Sequence, residues 1–399
     1  MPAALSDILV LDLSRVLAGP YAAMLLGDLG ARVIKVEQPG RGDDTRRWGP
    51  PFTANGESAY FFCANRNKES ITVNLKSDAG QRIAQDLARR ADVLIENFKV
   101  GALAAYGLNY ASLAAANPRL IYCSITGYGQ TGPYRDRPGY DTVIQAQGGI
   151  MSITGPADDP DAPYKVGVAI ADITAGLHAA TAILAALHYR ASTGAGQHID
   201  IALMDAQVGW LANVATAYLV SGEPPARYGN AHASIVPYQT VPTADGWLML
   251  AVGNDRQFLA MCQVLGRPEL AVEPRFATNP QRVVNRGVLM PMLETLFCTR
   301  SCGEWEEVLL AAGVPCGRVN DIPGALADPQ VRARGMVQEV YHAGTGWVPQ
   351  LGPVPKLSET PASIAQPPPL LGEHTAAILG EFLGVSQEDF AGLAESGAI

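Results

Sequence analysis

The chain has 399 residues, 48% hydrophobic and 17% charged, so it is long and apolar enough to bury a real core and is not disordered. Its formal net charge of −9 argues against general nucleic-acid binding, and no block of like charges forms a tail. Six cysteines without paired spacing read as reduced thiols of a cytoplasmic protein, and Cys298-x-x-x-Cys302 lacks the second ligand pair that a metal would need. The opening MPAALSDILV has neither a basic region nor a long apolar stretch, so no signal peptide is expected.

In chain order, residues 7–13 (DILVLDL) read as a short buried strand, 20–29 as a helix opened by Pro20, and 32–37 (RVIKVE) as the next strand. That is one βαβ unit. The rhythm recurs with a strand at 71–75, a helix at 78–90, a strand at 91–97, a helix near 110–115 and a strand at 119–125. Strands alternating with helices predict an α/β fold, with a Rossmann-like parallel sheet covered by helices on both faces. Ligands of such sheets bind beyond the carboxyl ends of the strands. Here those ends carry residues 14–18, 37–40, 74–76, 97–99 and 126–129.

A long helix from 173 to about 192 ends at the STGAGQ turn, and HIDIALMDAQ resumes a strand and then a helix. The texture changes over 221–236 (SGEPPARYGNAHASIV) to a loop-rich linker, followed by the hairpin YQTVPTADGWLMLAV with its turn at Asp245-Gly246. We divide the chain into a large domain over 1–225, a smaller α+β domain over 226–330, and a segment 331–399 that returns to the large one. QPPPLL at 366–371 reads as an extended packing connector.

Asp172 heads the run ADITAGLHAATAILAALHYR, which has no Lys, Arg or Glu before Arg190. Two readings of it stand side by side. Asp is a favoured N-cap residue, and capping is the commoner role at such a position. A carboxylate beside so much apolar surface also loses hydration, which makes it a stronger base or nucleophile. The uncharged length of the run suits a membrane span, but Ala, Thr, Gly and two His fit a helix buried in protein.

GYGQTG at 127–132 matches the glycine spacing of a dinucleotide fingerprint and follows a strand. That motif needs a helix to open there and meet the pyrophosphate, and Pro133 and Pro138 prevent it. No P-loop, H-E-x-x-H or G-x-S-x-G is present, which removes the sequence support for metal hydrolysis and serine-nucleophile chemistry.

The chain resembles the class III CoA-transferases, the CaiB/BaiF family. The likeness is carried in order by DLSRVLAGPYAAMLLGDLGARVIKVEQPGRGDDTR at 12–46, NRNKESITVNLKSDAG at 65–80, ADVLIENFKVGALAAYGL at 91–108, SITGYGQTGPYRDRPGYDTVIQAQGG at 124–149, GVAIADITAG at 167–176, TGAGQHIDIALMDA at 193–206 and AGVPCGRVNDIPGALADPQVRARGM at 312–336. The resemblance implies an interlocked, ring-like homodimer, acyl-CoA and a small carboxylic acid as substrates, and no permanently bound cofactor or metal. It also implies that Asp172, in an Asp-x-x-x-Gly setting, is the covalent nucleophile. That shifts the balance from capping towards catalysis. Gly148-Gly149 is a candidate pair of oxyanion donors.

Coenzyme A contacts carry over by position. Val16, Leu17 and Ala18 lie where the family makes backbone contacts. Val73, Asn74, Leu75 and Lys76, with Asn97, Phe98 and Lys99, match segments that hold the adenosine diphosphate part, and Arg137 lies near a basic position used for phosphate. Gln38 stands where the formyl-CoA transferase branch has Arg, and Ala105 where some members have a basic residue. Tyr140-Asp141 replaces the His-Asp pair of the CoA racemases of this fold; tyrosine does not readily take that proton at neutral pH, so racemisation is disfavoured and Asp141 keeps a supporting role.

Among branches, the likeness is nearest to succinate–hydroxymethylglutarate CoA-transferases, which also act on glutarate. A dicarboxylate acceptor needs a cation for its distal carboxylate, and Arg15, Arg46 and His232 are candidates, although Arg46 also has Asp43 and Asp44 beside it in sequence. The expected activity is CoA transfer between dicarboxylic acids in the cytoplasm, with no nucleic-acid or membrane partner. The alternatives are an acyl-CoA racemase or isomerase of the same fold, or a CoA-binding protein without catalysis.

Overall fold

The computed structural model describes residues 3–159 and 161–399. Its largest sheet has six strands, β1 (Leu9–Asp12), β2 (Arg32–Glu37), β3 (Lys68–Thr72), β4 (Val93–Glu96), β5 (Ile121–Thr126) and β6 (Gln197–Ala202). They lie in the order β3-β2-β1-β4-β5-β6, and every neighbouring pair is parallel. The order reverses between β1 and β4, and the crevice beyond that reversal is where such sheets take their ligands.

Successive side chains of a strand point to opposite faces, so strands apolar at every position must be covered twice. Val10, Val33, Val93, Ile95, Cys123 and Ile125 share a core with residues of the helices Ala18–Asp28 and Ile170–Thr193. Leu11, Ile34, Ile71, Leu94 and Tyr122 share another with the helices Asp78–Arg90 and Thr375–Leu383. The result is a helix–sheet–helix sandwich.

The predicted elements recur with shifted ends. Helix Asp78–Arg90 starts where expected because Ser77 caps it, accepting the Gly80 N–H, and Arg89 and Arg90 sit favourably at its C-terminus. Pro20 lies inside the first turn of Ala18–Asp28 instead of opening it. The strand expected at 71–75 runs over Lys68–Thr72 instead: Val73 still donates to Glu37, but Asn74 leaves the ladder and binds the carbonyls of Ala398 and Gly397. The 366–371 connector lies along this edge, with Asn67 N–H on Gln366 O and Arg46 on Pro369 O, which blunts an otherwise open edge strand.

The chain forms two compact units. One runs through Ile150 and resumes over Lys165–Gly222 and Pro329–Ile399; the other comprises Met151–Tyr164 and Glu223–Asp328. The second unit carries an antiparallel sheet of β7 (Tyr238–Pro242), β8 (Trp247–Ala251) and β9 (Cys316–Arg318). The hairpin turns at Thr243–Gly246, as the Asp245-Gly246 signal predicts. Arg227 ties Met151–Tyr164 into this unit by donating to the carbonyls of Met151, Asp159 and Ala162. The larger unit also holds a C-terminal hairpin, β10 (Val337–His342) and β11 (Gly346–Leu351).

Helix Ile170–Thr193 is long and apolar enough to cross a membrane. It packs against the sheet through Ala171, Ala175, Ala179, Ile183 and Ala186, while Leu177, Leu184 and Tyr189 are exposed.

Candidate active site

Beyond the ends of β1 and β4 lies a cleft of about 430 Å³. It is lined by Arg15, Val16, Leu17 and Ala18 after β1, by Asn97, Phe98 and Lys99 after β4, and by Arg137, Tyr140 and Asp172. A second cavity of about 210 Å³ is lined by Val73, Asn74, Leu75 and Lys76, and it too has Arg15 and Phe98 on its wall. The two strand ends are stitched together: Arg15 N–H donates to the Asn97 side chain at 2.9 Å, and Asn97 donates back to Arg15 O at 2.6 Å.

The turn between β1 and its helix is held from below by buried charge. Val16 has φ +71, a backbone conformation that a β-branched residue seldom adopts and that is typical of strained functional turns. Both Asp43 oxygens accept the Val16 N–H, at 3.2 Å. Lys35, fully buried, donates to Asp43 and to Ser14 O, each at 2.9 Å. Burial alone would raise the Asp43 pKa, but the Lys35 ammonium and the Thr45 donors outweigh it and hold it at about 2. Beneath it, Lys68 joins Asp12, Pro20 O and Asn65. The first-turn N–H groups of Ala18 and Gly19 meet no acceptor among the described residues, and they open a helix at the cleft wall.

Asp172 lies in the first turn of Ile170–Thr193, whose N-cap is Ala169. The capping expected of Asp172 is performed by Asp141, at the start of the helix Asp141–Gln147. The Asp141 carboxylate accepts the N–H groups of Ala171 at 2.8 Å and Asp172 at 3.4 Å. Among the described residues, nothing donates to the Asp172 carboxylate. Burial first and the Asp141 charge second push its pKa up to about 7. At neutral pH it is therefore a substantially basic carboxylate, suited to nucleophilic attack.

The Asp-x-x-x-Gly spacing has a geometric reason. Asp172 and Gly176 are four residues apart and so share one face of the helix. A Cβ at Gly176 would stand 2.7 Å from Ala18 O, so only glycine lets the turn after β1 close onto that face. The glycines of GYGQTG serve a similar purpose. A Cβ at Gly127 would meet the Gly139 Cα at 2.6 Å, so Gly127 allows a close backbone crossing, and no helix begins before Asp141.

Four proposed residues lie elsewhere. Arg46 lies outside the cleft lining: it is bound to Glu37 at 2.7 Å, lies over the Phe61 ring and pairs with neither Asp43 nor Asp44. Gly148 closes the last turn of Asp141–Gln147 by donating to Ile144 O at 2.7 Å, so its N–H is not an oxyanion donor. Gly149, with φ +86, follows it outside the cleft lining. His232 belongs to the smaller unit, where its Nδ1 accepts the Ser234 N–H at 3.1 Å. The structure also places Arg135 and Asp44 on the cleft wall, residues that no sequence motif singled out.

The pattern of CoA-transferase family III matches residues 5–375. A succinate–glutarate CoA-transferase of Agrobacterium fabrum is 48% identical over 94% of this chain and 95% of its own length. The human succinyl-CoA:glutarate CoA-transferase is 45% identical over 99% of this chain and 90% of its own. A crystal structure of a CaiB/BaiF family protein from Brucella suis superposes with a TM-score of 0.86 at 48% identity, covering 96% of this chain and all of that one. The chain belongs to CoA-transferase family III, and its fold and activity class are those of a class III CoA-transferase.

Proposed function

We propose that the protein transfers CoA between dicarboxylic acids, with succinyl-CoA as donor and glutarate as acceptor, and that Asp172 carries the acyl group. The observation behind the mechanism is a carboxylate without hydrogen-bond donors, raised to about 7, in the cleft formed by the turns after β1 and β4. The choice of acids rests on the names of the similar enzymes.

In the first step an Asp172 oxygen attacks the thioester carbonyl, the C–S bond breaks, and CoA thiolate leaves a succinyl–aspartyl anhydride. The thiolate then attacks the aspartyl carbonyl, releasing succinate and leaving Asp172 as a CoA thioester. A glutarate carboxylate attacks that thioester to give a second anhydride and thiolate. Thiolate attack on the glutaryl carbonyl gives glutaryl-CoA and frees Asp172. No net proton is taken up or lost. The Ala18 N–H, at the cleft wall, is the candidate donor for a developing oxyanion, and Lys76, Lys99 and Arg137 suit the CoA phosphates. Arg15 remains the candidate for the distal carboxylate. No permanent cofactor is required.

The protein acts as a cytoplasmic homodimer without nucleic-acid or membrane partners. Exposed Leu177, Leu184 and Tyr189 on one helix, with Trp210, Leu219 and Val220 further on, form apolar surface for a second copy. A racemase would instead need an imidazole base where Tyr140 stands. The test is a panel of mono- and dicarboxylates with succinyl-CoA, followed by hydroxylamine trapping and mass spectrometry. Label on a residue other than Asp172, or racemisation of a 2-methylacyl-CoA without any acceptor acid, would overturn this reading.

A further inference from the structure

Gln145 has no exposed surface, and its amide is fully used. Its Oε1 accepts the Val166 N–H at 2.9 Å; its Nε2 donates to Asp141 Oδ2 at 2.7 Å and to Val168 O at 3.3 Å. The Val166 donor fixes which end of the amide is which, so the end facing Asp141 must be the NH2. Asp141 Oδ1 in turn faces the N–H groups of Ala171 and Asp172. Both oxygens of Asp141 therefore face donors, at the head of the helix that carries Asp172.

This placement matters because the first-turn N–H groups of a helix are where a carboxylate is best stabilised, and a stabilised carboxylate is a poorer nucleophile. Asp141 occupies those donors, and Asp172, in the same first turn, is left without them.

We propose that Gln145 is a positioning residue for CoA transfer: through Asp141 it withholds the helix donors from Asp172 and so keeps that carboxylate reactive. The inference rests on the reading of Asp172 as nucleophile. Gln145 is not part of the cleft lining. Its i, i+4 relation to Asp141 and its grip on residues 166 and 168 make one frame around the turn into the Asp172 helix. The other charged or titratable groups around Asp172 are Tyr140, Arg15, Asp44, Lys99 and Arg135–Arg137 on the cleft wall, with Tyr60 coupled to both carboxylates. Every variant below leaves them in place.

The experiment uses the full-length protein, succinyl-CoA as the probe, and single-turnover trapping of the acyl group across pH 5–9. The wild type is expected to label Asp172 at a rate that rises through about pH 7. Gln145→Met and Asp141→Asn are expected to lower the plateau rate tenfold or more, leave KM for succinyl-CoA within about threefold, and move the acid limb to lower pH. If Gln145→Met does not fold, Asp141→Asn, of the same shape, carries the test. The swapped pair Asp141→Asn with Gln145→Glu restores a donor facing an acceptor and keeps the net charge, and is expected to recover most of the plateau. Folded single variants with wild-type plateau and acid limb overturn the inference, as does a swapped pair no faster than the singles. Wild-type label on another residue overturns the nucleophile reading instead, whatever the variants do.

Discussion

Asp43 and Asp172 both border the turn that follows β1, and the fold treats them oppositely. Asp43 has no exposed surface, yet Lys35, Thr45 and Val16 surround it with donors, and its pKa is held at about 2. Asp172 retains some contact with the cleft, yet no donor among the described residues reaches its carboxylate, and burial beside Asp141 lifts it to about 7. Burial acts on both in the same direction. The difference lies in which groups share the space: an ammonium and backbone donors make a structural anion, while a second carboxylate makes a reactive one.

The sharpest way to break this comparison is to remove the reactive member. Asp172→Ala is expected to lower the rate of labelled-CoA exchange by about 10⁴-fold or more, and near-normal exchange would remove the nucleophile from the mechanism. Removing the partner of the structural member comes next. Lys35→Met leaves Asp43 buried without its cation and should cost about 3–5 kcal/mol in urea unfolding, whereas Lys35→Met with Asp43→Leu should recover much of that loss. A wild-type-like Lys35→Met would mean that the pair is not what holds the turn.

A smaller effect separates the two by pH. Asp172 binds its proton more tightly folded than unfolded, so its share of stability is complete below about pH 4 and is lost as pH rises through about 7. Asp43 is the reverse: its contribution is present above about pH 4 and is lost as pH falls towards about 2. Asp172→Asn should therefore stabilise the protein by roughly 1–3 kcal/mol at pH 8 and by less than half as much at pH 5. Thermal melts at the two pH values check this, and equal shifts at both would contradict the raised pKa. The smallest expected change is at the outer cavity. Lys76→Ala should raise KM for succinyl-CoA several-fold, about 1 kcal/mol, with kcat unchanged.

Much of the framework was legible because it depends on local pattern. Strands with adjacent apolar residues, such as Leu9–Leu11 and Val33-Ile34, report burial on two faces, and Ser77 marks its helix start one residue ahead. Residues 16–18 and 97–99 were found because the carboxyl ends of parallel strands collect ligands, and family motifs marked the same positions. Less legible were the residues whose partners are far away in sequence. Arg46 has acidic neighbours on its own loop, but the fold gives it Glu37 across the turn. Gly148 reads as a free glycine pair with Gly149, but the helix end uses its N–H. Nothing local distinguishes the 151–164 segment, which joins the smaller unit through Arg227, far along the chain.

The sequence by itself determined the alternation of strands and helices, the family, and Asp172 as the residue to explain. Periodicity and motif order are properties of neighbouring residues, and they survive without knowledge of long-range contacts. The tertiary structure alone decided that Asp172 is not a cap. That required Asp141, thirty-one positions earlier in the chain, to reach the helix donors first, with Gln145 holding its other oxygen. Whether a carboxylate stabilises a helix or stays free to react depends on which acceptor occupies those donors, and only the folded chain sets that.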